Sequence, residues 1–147
     1  MVDAKLAQIH ALLPLREENV EAFLELVAET VDLGDPSSIR PLLMIVDEGC
    51  PLSGVMDALL RNLEEFPSDV YDRELLAALP MFCTRSPFWC ESEIKKRLWS
   101  VEERETLIAA LPKATDQARE VLRELLTRVR DDTPQLKQAC TEVLTKL

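Results

Sequence analysis

Between Val55 and Leu79 the chain reads VMDALLRNLEEFPSDVYDRELLAAL, and this stretch limits the fold more than any other. Val55, Met56, Leu59, Leu60 and Leu63 recur at helical spacing and make one apolar stripe. Tyr71, Leu75 and Leu79 repeat the pattern after Phe66-Pro67-Ser68-Asp69. Pro67 ends the first helix, because a residue before proline is pushed out of the α region. Ser68 then stands where a side chain caps the next helix. Two striped helices with a joint of about four residues read as an antiparallel αα-hairpin. Its outer side is acidic: Asp57, Glu64, Glu65, Asp69 and Asp72.

The rest of the chain repeats this construction. Asp3–Leu13 carries Leu6, Ile9 and Leu13 on one face, with His10 beside it as a partly buried structural histidine. Glu17–Val31 turns Val20, Leu24, Val27 and Val31 inward and lines another face with Glu18, Glu21, Glu25 and Glu29. Like charges at that spacing destabilise an isolated helix, and no basic residue within it relieves them. Asp35–Glu48 opens either with Asp35-Pro36 or with Ser37 or Ser38 and Pro41 in the first turn, and closes before Gly49, a candidate left-handed cap, and Pro51. Asp47 and Glu48 then fall at the C-terminal end, where the helix dipole disfavours anions.

Pro80 kinks or ends the second hairpin helix. Ser86-Pro87 starts a helix to about Trp99 whose Lys95-Lys96-Arg97 reads as an internal salt-bridging face, with Trp89 and Trp99 read as core residues ahead of the alternative, aromatic anchors for a partner. Ser100 to Glu103 fits a capping box for the helix closed by Pro112. Thr115 caps Asp116–Arg130, with Glu124 and Arg128 as an i,i+4 pair, and Thr133-Pro134 opens the last helix. The expected architecture is all-α: one domain over residues 1–147, with eight to nine short helices in antiparallel pairs. A HEAT-like α-solenoid and an irregular helical bundle both satisfy that pattern.

Charge is divided unevenly along this scaffold. Residues 1–73 hold five Lys or Arg against fifteen Asp or Glu, so 5 − 15 = −10, which is the entire net charge of −10. Such a field suits a partner of opposite sign and repels nucleic acid and anionic membranes. No apolar run reaches about 18 residues and the start carries no signal-like segment, so a cytoplasmic protein is expected. Cys50, Cys83, Cys90 and Cys140 form no C-x-x-C pair and are read as reduced thiols, with neither metal nor cofactor expected. Phosphate-loop, dinucleotide, zinc-protease and nucleophile-elbow motifs are absent, and one histidine gives a serine or cysteine nucleophile little help. The reading is therefore not an enzyme.

Several motifs carry a family likeness. E-E-F precedes D-V-Y within Glu64–Tyr71, L-L-A-A-L-P covers Leu75–Pro80, S-P-F-W covers Ser86–Trp89, and Arg97-Leu98 follows. Over about Pro41–Leu111 the chain resembles the bacterial immunity proteins of polymorphic toxin systems, family thirty. The resemblance implies stoichiometric binding and neutralisation of a cognate toxin domain, with no catalytic residues to carry over. A basic toxin domain would meet the acidic half, and the expected contacts are Glu18, Glu21, Glu25, Asp47, Glu48, Asp57, Glu64, Glu65, Asp69 and Asp72. A helical scaffold or secretion chaperone without inhibitory activity is the alternative. A carboxylate enzyme would need a deep pocket with paired acids of shifted pKa.

Overall fold

A computed structural model describes residues 1–147, with the side chain of Ser53 left outside the description. Among the described residues the chain forms nine α-helices and no strand. They are α1 (Val2–Ala11), α2 (Val20–Asp32), α3 (Ile39–Leu43), α4 (Ser53–Leu63), α5 (Ser68–Arg85), α6 (Pro87–Leu98), α7 (Val101–Ala110), α8 (Asp116–Asp132) and α9 (Lys137–Leu144). Single 3-10 turns precede α2, α3 and α9 and follow α7.

The all-α expectation holds, but the partners of the central helices differ from a hairpin. Helix α4 packs chiefly on α2, while α5 packs on α3, α6, α7 and α8. The two helices either side of Pro67 are consecutive without lying along each other. The stripe on α5 explains this: Tyr71, Leu75, Leu76, Ala78, Leu79 and Phe82 are all buried, so apolar surface covers more than one side. A helix apolar over so wide an arc belongs in the centre of a core. The core is continuous from Phe23 and Val27 on α2 through Leu59 and Leu63 on α4 to Leu122 and Leu126 on α8.

Pro80 sits inside α5, which runs on to Arg85. It removes one amide donor, and the packing on four neighbouring helices outweighs that loss. Ser68 makes no side-chain cap, since Pro67 holds the cap position. Ser100 and Thr115 do cap, accepting from the amides of Glu103 and Ala118 at 3.1 Å each. Glu103 does not close the box; its carboxylate lies 3.9 Å from Arg97. Helix α3 stops at Leu43, five residues short of the expected end, so Asp47 and Glu48 belong to the connection into α4. Gly34, with φ +70°, is the left-handed residue after α2, and Gly49 is not one. Arg128 pairs with Glu91 at 3.2 Å instead of with Glu124.

The reading of four reduced thiols fails for one pair. Cys83 near the end of α5 and Cys90 in the first turn of α6 are joined by a disulfide across the Ser86-Pro87 turn. Cys50 and Cys140 are free. No described helix is long and apolar enough to cross a membrane.

Candidate functional site

The acidic stripe of α2 is positioned by what its other side buries. Phe23, Val27, Thr30 and Val31 face the core. The Asn19 side chain fixes the helix entry, accepting from the Arg16 amide at 2.8 Å and donating to the Leu12 carbonyl at 2.9 Å. Glu18, Glu21 and Glu25 are consequently exposed on the outer side, and none has an ion pair among the described residues. Glu29 differs, since Lys5 reaches it from α1 at 2.6 Å.

A second acidic group lies in the connection between α3 and α4. Asp47 Oδ1 accepts from the Gly49 amide at 2.8 Å, and a Glu48 oxygen accepts from the Phe88 amide at the start of α6. Buried Ser86, expected as a plain cap, donates its hydroxyl to the Val46 carbonyl at 2.7 Å. The connection is thus fastened to α6 at two points. A groove of about 580 Å³ runs beside it, walled by Leu13, Leu15, Met44, Asp47, Met56 and Arg85. His10 is exposed at that groove and not partly buried as expected, because it points away from the Ile9 side of α1.

The acids expected on the α4–α5 segment divide three ways. Asp57 pairs with Arg61 at 2.9 Å, and Glu64 lies 3.2 Å from Lys96 and 3.7 Å from Arg97. Glu65 and Asp69 are exposed, though Asp69 borders a recess with Arg73 and Lys113. Asp72 is wholly buried, so it contributes to the interior and not to a contact surface. Its oxygens have no hydrogen-bond partner among the described residues, and the nearest cation, Arg97 Nη1, is 3.5 Å away. Burial pushes the Asp72 carboxyl up to about 6 against the opposing pull of Arg97.

Around Asp72 the basic run of α6 turns inward, as its reading as a salt-bridging face requires. Lys96 contacts Glu93 at 2.8 Å, and Glu93 in turn accepts from the Tyr71 hydroxyl. Arg97 lies over the Tyr71 ring at 5.4 Å. Burial raises the Glu93 carboxyl and raises the Tyr71 phenol well above its usual range. Lys96 and Arg97 thus face the interior acids Glu93 and Asp72, while Lys95 and Arg128 both pair with half-buried Glu91.

Sequence reasoning passed over Phe88 and favoured the core for Trp99, and both are exposed. Phe88 is 65% exposed and Trp99 61%, while Trp89 is half-buried and meets Phe88 edge-to-face at 5.2 Å. The signal was available in register: the buried residues of α6 are Cys90, Glu93, Ile94, Arg97 and Leu98, and Phe88 falls off that stripe.

Taken together, the protein is an all-α scaffold with a groove of about 580 Å³ and exposed carboxylates in its first half that make no ion pair among the described residues. The profile of the family described as Immunity protein 30 matches residues 10–107, and the chain belongs to that family. Comparison with curated proteins and with solved structures returns no match.

Proposed function

We propose that this chain is an immunity protein that binds a cognate toxin domain of a polymorphic toxin system and neutralises it in the cytoplasm. The contact runs through the acidic side of the first half. The observation that carries this reading is the set of exposed carboxylates without ion pairs, Glu18, Glu21, Glu25, Asp47, Glu48 and Glu65, on a member of the Immunity protein 30 family. A basic toxin surface would be drawn in by that field, since charge complementarity chiefly raises the rate of encounter. Asp57, Glu64 and Asp69 are secondary contacts, because nearby cations already offset them. Inhibition by such a partner is stoichiometric and uses no cofactor.

The test pairs this chain with the toxin domain encoded beside its gene. Complex formation together with loss of the toxin's activity supports the reading. Binding that leaves the activity intact would point to a scaffold or secretion chaperone, and absence of binding would remove the proposal.

A further inference from the structure

We propose that the recess between the α3–α4 connection and the start of α6 is the seat for one basic side chain of the toxin domain. This inference rests on the function proposed above and names the chemistry of one contact within it. The recess holds about 220 Å³ and is lined by Asp47, Glu48, Cys50, Met56, Phe88 and Trp89. Two of these residues are anionic and none is cationic.

Each carboxylate is oriented by the backbone on one oxygen only. Asp47 Oδ1 receives the Gly49 amide, and Glu48 Oε1 receives the Phe88 amide. The remaining oxygens have no partner among the described residues, so a guanidinium fork or an ammonium finds acceptors already aimed. Met56, Phe88 and Trp89 supply the apolar wall that the aliphatic stem of lysine or arginine needs. The two rings add an aromatic face for the cation.

The walls are set before binding. Ser86 holds Val46, Glu48 holds Phe88, and the ring of Phe88 leans on Trp89. Preset contacts lower the ordering cost of association. Phe88, 65% exposed at the rim of this pocket, belongs to the aromatic class enriched at the cores of interfaces. The adjoining groove shares Asp47, Cys50 and Met56 with the recess and extends it toward Leu13 and Leu15. Arg85 and His10 also stand on that groove, so a residue flanking the basic side chain there would be apolar or acidic and not a second cation.

The experiment measures affinity of the full chain for the toxin domain encoded beside its gene. It compares wild type with Phe88→Ala, Asp47→Asn and, as a distant control, Glu124→Gln. The first two are expected to weaken binding by about tenfold or more, and the control to leave it within about twofold. Thermal unfolding confirms that each variant is folded, and Asp47→Asn stands if Phe88→Ala is not. In a Trp99→Phe background the emission of Trp89 should shift on complex formation. Wild-type binding that survives both recess variants, with Trp89 emission unmoved, overturns the recess and leaves the proposed function standing. Loss of self-association in Phe88→Ala with unchanged toxin affinity would make the occupant a second copy of this chain and also overturn it. If the wild type does not bind the toxin domain, both readings fall.

Discussion

The Tyr71 hydroxyl donates to Glu93 Oε2 at 2.8 Å where α5 meets α6, and both residues are closed off from solvent. Removing that hydroxyl leaves Glu93 with Lys96 alone. A hydrogen bond to a charged group contributes about 1.5–3 kcal/mol. Tyr71→Phe should therefore lower the urea midpoint by that amount of stability with an unchanged slope, because the ring and its contact with Arg97 remain.

Asp72 makes stability depend on mildly acidic pH. Its folded-state value of about 6 lies above the ordinary aspartate value of 3.8, chiefly through burial and against Arg97. Folding thus favours the protonated form. The resulting stabilisation is complete below about pH 4 and is lost as pH rises through about 6, on the order of a few kcal/mol. In Asp72→Asn that position no longer titrates. Denaturation across this range should show the wild type gaining stability relative to the variant on acidification. The difference between the two curves isolates Asp72 from Glu93, which also shifts upward, and from Glu91, which shifts downward.

Charge reversal of Glu18, Glu21 and Glu25 to lysine tests the α2 stripe. These side chains make no ion pair among the described residues, so thermal stability should change little. The association rate with the toxin domain should fall by about tenfold or more at low salt, and its salt dependence should weaken. An unchanged rate would mark the stripe as solvated surface only.

Reduction of Cys83–Cys90 opens a cross-link of sequence separation 7. For so short a loop the chain-entropy relation gives about 2 kcal/mol. Cys83→Ser should show that loss in thermal unfolding while helical content is kept, because Phe82, Ile94 and Leu98 still hold α5 and α6 in the core.

The helices were legible because apolar stripes at a period of 3.6 need no tertiary knowledge. The stripes of α2 and α4 were read residue by residue from the chain. Which stripes would meet was not legible. Pairing of α4 with α2, instead of with α5, depends on the exit angle at Pro67, which local sequence does not set. The same gap explains the site. Exposure of Glu18, Glu21 and Glu25 follows from their own helix, whereas the burial of Asp72 depends on Arg97 arriving from α6. Trp99 was read as core because aromatic identity was weighed above register. Ser86 was read for the cap it resembles locally, and its partner Val46 lies 40 residues away.

That separation has an evolutionary reach. The floor around Asp47 and the wall around Phe88 are encoded by segments 40 residues apart, yet they are stitched together by Ser86–Val46 and Glu48–Phe88. A genetic crossover falling between them would join one parent's floor to the other's wall while leaving every helix intact. Under the contact proposed above, chimaeras of that kind, built from two members of the family, would carry half of each parent's recess after a single recombination.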